Sequence, residues 1–384
     1  MARWQILALM LAACLALAPT LALAKAPATC LAPADLHDGW AVATPAQEGL
    51  DPRVICAIGP TLEKLTRADP DGIVIMRHGT LVYEHYFAAH PIAYAAGTLH
   101  EMHSITKSIV ALLVGIAFDR GWLTNINASV FSFFPEYADL RTPGKDRITL
   151  RDLLTMTSGL AWPELFVPRD DPANVIRRMR DAPDPYRFVL AQPLAAAPGT
   201  LWNYNSGGVD LIGAMLKKVA KRPLDVFAKQ ALFAPLGIRG WAWTRLSGEA
   251  NGDPAAGGGL WLRPRDLAKI GQLILNHGLW HGRRIVSAAW IAAMTAPQIP
   301  SWWLFNNAAD AQSYGYLWWR GRRWIDERPF DWVGGLGYGG QRLYVVPSQD
   351  LVVAVTASAY RRSYTAALAG NAALAMTLRA TLAH

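Results

Sequence analysis

Strand-like sequence stands at both ends of this chain, and a long helix-rich stretch separates the two. Near the N-terminal end, Gly72-Ile73-Val74-Ile75-Met76 and Leu81-Val82-Tyr83-Glu84-His85-Tyr86 flank His78-Gly79, which reads as a β-hairpin. Near the other end, Arg342–Val346 and Leu351–Val355 are two strands joined by Pro347-Ser348-Gln349-Asp350. The pattern is helical from Pro52 to Leu65, and again from near Ser104 to Gly121. Thr149 and Asp152 form a capping box for a short helix that Gly159 closes. Residues 175–250 read as mostly helical, Pro264 opens a further helix, the period turns strand-like after Tyr314, and a last helix covers about Ser363–Leu382. This order predicts an α+β fold: one antiparallel sheet built from both ends of the chain, flanked by helices, with a mostly helical lobe inserted. The expected boundaries are an α/β lobe of about 40–100 and 255–384 and a helical lobe of about 101–254, together one domain over 25–384. A cleft between two such lobes is where a site is expected. Composition agrees: at 384 residues, 52% hydrophobic and 17% charged, the chain can bury a substantial core, which excludes global disorder.

Residues 1–24 have Arg3 as a basic start, then an apolar stretch broken by Pro19, then Ala22-Leu23-Ala24 before Lys25. This is the pattern of a signal peptide and predicts export to the periplasm or the medium. A membrane anchor is the alternative, and Leu11-Ala12-Ala13-Cys14 also matches a lipoprotein box. No later stretch is long and apolar enough to suggest a membrane span. Three cysteines are too few for a disulfide scaffold. If Cys14 leaves with the signal, Cys30 and Cys56 remain; paired, they would close a loop of about 27 residues worth about 3 kcal/mol. Two free thiols are the other reading.

The sharpest local feature is His103-Ser104-Ile105-Thr106-Lys107-Ser108. Ser104 and Lys107, three apart, share a helix face. Ser104 at the helix start lies near unpaired N–H groups and the positive end of the dipole. Lys107 runs into the apolar Ile109–Leu113; a desolvated lysine has a lowered pKa and can take a serine proton. The ordinary alternative is a capping serine and a lysine that snorkels outward. A second element, Trp202-Asn203-Tyr204-Asn205-Ser206-Gly207-Gly208, precedes an apolar helix; its tyrosine can project into a cleft and shuttle a proton, or simply pack in a turn. A third, Trp332 to Gln341, holds Gly334, Gly335, Gly337, Gly339 and Gly340 beside the strand Arg342–Val346. It would let a substrate approach the backbone and lend N–H groups to an oxyanion hole, or be a bulge.

With these three elements in this order, the chain resembles the penicillin-recognising serine hydrolases: class C β-lactamases, D-Ala-D-Ala peptidases and related esterases and amide hydrolases. Ser104-x-x-Lys107 matches the first motif, and Tyr204-Asn205-Ser206 takes the place of Tyr-x-Asn. Gly335-Leu336-Gly337 takes the place of Lys-Thr-Gly or His-x-Gly. Phe134-Pro135-Glu136-Tyr137, Leu153–Leu160 and Pro235-Leu236-Gly237-Ile238 resemble further landmarks, so the likeness spans about residues 40–384. Tyr-x-Ser, the Gly-Gly-Gln segment and the tryptophans near the C-terminal end are most similar to the 6-aminohexanoate-oligomer hydrolase and esterase-like branch. The resemblance implies a catalytic Ser104, Lys107 and Tyr204, with Ser206, Gly337, Tyr338 and Gly339 around the substrate or its oxyanion, and no cofactor or metal. Two departures bear on the substrate. No Lys or His lies between Trp332 and Gln341, so the third motif lacks its cation, and Arg342 is the nearest one. Ser206 also replaces an amide side chain. Both favour a small ester or simple amide over a β-lactam or a D-Ala-D-Ala peptide, the runner-up substrates. A binding or sensor protein that keeps the fold without catalysis is the reading from another class.

Other signals carry less. His100-Glu101-Met102-His103 is one residue short of H-E-x-x-H, so its histidines do not stack at i,i+4. There is no G-x-S-x-G elbow. Arg320-Gly321-Arg322-Arg323-Trp324 reads as a solvated loop rather than a nucleic-acid patch. Of the tryptophans at 302, 303, 318, 319, 324 and 332, most are expected in the core, and some could line a pocket by the third motif or stack on a sugar.

Overall fold

The computed structural model describes residues 29–382 except 66, 90–91, 249–251, 301–309 and 361–364. The signal-like residues 1–24, Cys14, Trp302 and Trp303 lie outside the described residues.

The strands that matter for the site are β1 (Ala41–Val42), β2 (Pro70–Arg77), β3 (Thr80–Tyr86), β4 (His100–Glu101), β5 (Trp241–Trp243) and β6 (Leu260–Leu262). They continue with β7 (Ile299–Pro300), β8 (Ala311–Tyr314), β9 (Trp319–Ile325), β10 (Arg328–Leu336), β11 (Arg342–Val346) and β12 (Leu351–Ala357). Nine of them form one sheet in the order β1-β3-β2-β12-β11-β10-β9-β8-β7. The two ends of the chain meet where β2 pairs antiparallel with β12, Ile73 opposite Val355 and Ile75 opposite Val353. Every neighbouring pair is antiparallel except the short edge pair β1–β3, so the sheet is mixed rather than wholly antiparallel.

The central strands are buried on both faces, which is why Leu343–Val346 in β11 and Leu351–Val355 in β12 read as apolar runs. On one face α9 (Pro264–Leu275) packs so closely that a Cβ on Gly271 would press on Val352 and Leu343. On the other face α11 (Leu368–Ala380) covers Arg342 and Tyr344, whose hydroxyl donates to Asn371 Oδ1 at 3.1 Å. The short helices α1 (Pro52–Cys56) and α2 (Ile58–Glu63) pack beside α11, and the sulfurs of Cys30 and Cys56 meet at 2.10 Å, in disulfide bonding.

Between β4 and β5 the chain is helical: α3 (Ile105–Asp119), α4 (Leu150–Leu154), α5 (Val175–Asp181), α6 (Pro185–Ala191), α7 (Ser206–Ala220) and α8 (Leu224–Ala228). The helix α3 is buried from Ile105 to Ala117, against α7 on one side and the sheet and α10 (Ala288–Thr295) on the other; Trp290 Nε1 donates to the Ala111 carbonyl at 3.0 Å.

Three local expectations need correction. Gly159 does not end α4; Thr155 caps it, and Gly159 sits in the following loop. The stretch 175–250 includes the strand β5, which pairs with β6 in a small three-stranded sheet with β4. Arg320–Trp324 is part of β9 rather than a loop: Arg322 pairs with Asp331 and Arg323 with Asp310, which accounts for the cluster of charge.

Candidate active site

Ser104 is the residue that leads into α3, with helical φ/ψ and no side-chain capping bond. Its hydroxyl faces Lys107 instead, whose Nζ lies 3.0 Å from Ser104 Oγ. Lys107 is 1% exposed, so it does not snorkel; Nζ also donates to the Gly257 carbonyl. The chain holds this start of α3 rigidly: Leu260 N–H donates to Thr106 Oγ1, Ser108 Oγ to the Leu317 carbonyl and Trp318 Nε1 to the Ser108 carbonyl. Burial pushes the Lys107 ammonium down to about 8, against the pull of Glu164 and Asp210, which favour the charged form; Arg169 and Arg180 add to the lowering.

Tyr204 approaches from the segment before α7. Asn205 caps that helix by accepting from Gly208 N–H at 2.8 Å, which turns the Tyr204 ring towards Lys107; Nζ lies 5.0 Å from the ring centroid. Trp319 stacks on the ring at 6.2 Å, and Trp202 is tilted against it at 5.9 Å. Burial, then the nearby Glu164 carboxylate, raises the phenol well above its usual range, while its hydrogen bond with Ser104 acts the other way. Ser104, Lys107 and Tyr204 thus come together from two segments far apart in sequence.

The other expected residues divide. Ser206 lines the same cavity, but its N–H and hydroxyl both donate to Glu164, each at 2.7 Å, and Trp162 Nε1 donates to the same carboxylate. Its amide is therefore already committed and does not serve an oxyanion. Gly337 passes so close to the strand before Ser104 that an added Cβ would lie 2.5 Å from the Met102 carbonyl, which brings the third motif beside Ser104. Its own N–H donates to the Gln341 carbonyl at 2.9 Å, so it too is spoken for. Gly339, at φ 82°, turns the loop and its carbonyl accepts from Ala359 N–H. Among the described residues, no protein acceptor pairs with the N–H of Ser104 or of Tyr338. Gly335 packs on Ile105 and Ser108. Arg342 does not reach the cleft: it is buried under α11, where its guanidinium donates to the Gly337 and Gln341 carbonyls and braces the loop. Of the tryptophans, Trp318 and Trp332 are core, Trp319 stacks on Tyr204, and Trp324 is exposed.

Five residues at this site escaped the reading of the sequence. Gly257 supplies the carbonyl for Lys107 and has no room for a side chain, since a Cβ would lie 2.8 Å from the Ser206 carbonyl. Asp210, one turn after Ser206 on α7, accepts from Gly257 N–H at 2.8 Å; burial raises it to about 6. Glu164, Arg169 and Arg180 complete the cavity around His103 and Ser104. Burial, helped by Arg169, Lys107 and Arg180, lowers His103 to about 3, so its imidazole is neutral; its ring packs edge-on against Tyr338 and Tyr360.

A serine hydroxyl beside a buried amine and a phenol is an arrangement that can support acyl transfer. The beta-lactamase family model matches residues 62–376. The 6-aminohexanoate-dimer hydrolase of Paenarthrobacter ureafaciens is 25% identical over 331 residues, 81% of this chain and 78% of that protein. A family VIII carboxylesterase superposes with a TM-score of 0.67 at 17% identity, covering 88% of this chain and 99% of the other. The octameric penicillin-binding protein homologue from Pyrococcus abyssi gives 0.60 at 23% identity, covering 84% and 77%. The chain therefore belongs to the beta-lactamase family, whose serine hydrolases include amide- and ester-cleaving members.

Proposed function

We propose that this protein hydrolyses small carboxylic esters or simple amides through an acyl-enzyme on Ser104. The observation that carries the reading is the buried Lys107 amine 3.0 Å from a partly exposed serine hydroxyl. With a pKa of about 8, roughly a tenth of Lys107 is neutral at pH 7, enough for a general base. Neutral Lys107 keeps one N–H on the Gly257 carbonyl and takes the Ser104 proton on its lone pair. Ser104 Oγ bonds to the carbonyl carbon, and the oxyanion is held by the N–H groups of Ser104 and Tyr338. The C–O or C–N bond then breaks. Tyr204, kept protonated by its raised pKa, gives its proton to the leaving group and recovers one from Lys107. In the second half a water gives a proton to neutral Lys107 as its oxygen bonds to the acyl carbon; the C–Oγ bond then breaks and Lys107 returns that proton to Ser104 Oγ, which frees the acid and restores both residues.

The relative that cleaves the 6-aminohexanoate dimer supports an amide, and the carboxylesterase fold supports an ester. The third motif lacks the Lys or His that would present a cation from the Gly335 position, so the particular carboxylate contact that β-lactams and D-Ala-D-Ala peptides make through that motif is missing. The Cys30–Cys56 pairing and the apolar residues 1–24 support a place outside the cytoplasm. The test is a panel: p-nitrophenyl esters, linear aminohexanoate oligomers, a chromogenic cephalosporin and D-Ala-D-Ala peptides, each with the wild type and Ser104→Ala. The expected result is turnover of an ester or an oligomer that Ser104→Ala abolishes. Cephalosporin turnover above about 10⁴ M⁻¹s⁻¹ as the best activity would overturn the substrate assignment.

A further inference from the structure

The cavity beside Ser104 contains more charge than the proposed chemistry uses. Its carboxylates are satisfied from within: Glu164 accepts from Ser206 N–H, Ser206 Oγ and Trp162 Nε1, and Asp210 from Gly257 N–H. Its two guanidiniums are not. Arg169 and Arg180 both line the cavity, both are exposed, and among the described residues neither has a carboxylate within ion-pair distance. Both are still felt at Lys107, His103 and Glu101.

Their placement is specific. On α5, Ile176, Met179 and Arg180 recur at i, i+3 and i+4, and all three line the cavity. The other two arginines of that helix are occupied elsewhere: Arg177 donates to the Asp170 carbonyl, and Arg178 lies over the Phe188 ring. Arg169 comes from the preceding loop and sits 4.8 Å from the centroid of the Tyr338 ring. A cation thus reaches the third-motif loop from across the cleft, where Gly335 has none to offer.

We propose that Arg169 and Arg180 form an anion subsite beside Ser104, and that the preferred substrates are esters or amides carrying a free carboxylate. A guanidinium pair with open donors next to the reacting carbonyl binds a carboxylate by charge-assisted hydrogen bonds and holds the scissile bond in register. This rests on the hydrolase reading above and sharpens its substrate class.

The test uses matched chromogenic esters. One arm compares mono-p-nitrophenyl glutarate with p-nitrophenyl valerate, which places the charge on the acyl side. The other compares 4-acetoxybenzoate with its methyl ester, which places it on the leaving group. In at least one arm the anionic ester should have a kcat/KM about tenfold higher. The Arg169→Gln/Arg180→Gln double variant should bring that ratio close to one, and the Arg169→Lys/Arg180→Lys variant should keep part of it. Arg177→Gln removes the same charge from the outer face of α5 and should leave the ratio unchanged. High salt should lower the wild-type ratio. A ratio at or below one in both arms, or one indifferent to the double variant, overturns the subsite. Equal turnover of charged and neutral esters refutes only the subsite, whereas no turnover of any ester or amide by the wild type refutes the hydrolase reading itself.

Discussion

Asp210→Asn isolates the electrostatics of Lys107. Asparagine keeps an oxygen for the Gly257 N–H bond, so the backbone that presents the Gly257 carbonyl to Lys107 stays in place. What is lost is a negative charge that stabilises the Lys107 ammonium. At pH 8 that charge is present, because Asp210 titrates at about 6. Unit charges several ångströms apart at an effective dielectric of about 20 attract by about 3 kcal/mol. Glu164 remains and solvent reaches the cleft, so about half of that, near 1.4 kcal/mol or one pKa unit, is the expected loss. The sign follows from the base mechanism: activity needs neutral Lys107, so kcat/KM rises with pH through the lysine pKa. In the wild type the midpoint should lie near 8, and in Asp210→Asn near 7. The assay is kcat/KM for a neutral p-nitrophenyl ester from about pH 5 to 10, which reports the free enzyme. A midpoint that stays put or moves upward in the variant would refute Lys107 as the titrating base.

Tyr204→Phe keeps the stacking on Trp319 but removes the phenol; kcat should fall about 10²- to 10⁴-fold while the melting temperature, read by circular dichroism, barely moves. Gly337→Ala puts a Cβ against the Met102 carbonyl and should destabilise by about 1–3 kcal/mol in urea unfolding, with activity falling further than stability. In the mature, non-reduced protein, thiol titration under denaturing conditions should find neither Cys30 nor Cys56, and the Cys30→Ser/Cys56→Ser variant should lose about 3 kcal/mol of stability in the same unfolding assay.

The sheet was legible because its chemistry is local: β2, β3, β11 and β12 announce themselves by apolar runs and turn residues, and a strand pair buried on both faces leaves little else to read. Ser104 and Lys107 were legible for the same reason, since three residues on one helix fix their geometry. Tyr204 and the glycines around Gly337 stood out in their own segments, each with an ordinary packing or bulge alternative, and it took the resemblance to bring them to α3, because nothing in those segments says that they meet it. Glu164, Arg169, Arg180, Asp210 and Gly257 were not legible. Each reaches the cavity through tertiary packing: Gly257 through a single carbonyl, Asp210 through one N–H, and Arg180 through the side of α5 that faces inward. Ser206 was placed at the site by the resemblance, and Arg342 was only the nearest cation to the third motif, with its direction left open. The structure turns the first to Glu164 and the second under α11, where each supports the backbone around the cleft.

The measurement that bears most directly on the central claim is covalent labelling with a fluorophosphonate, read by mass spectrometry of the intact protein and its peptides. Modification at one residue, Ser104, that disappears in Ser104→Ala and slows strongly in Lys107→Met is the result expected. Full labelling of Ser104→Ala, or an adduct on any other serine, would contradict it.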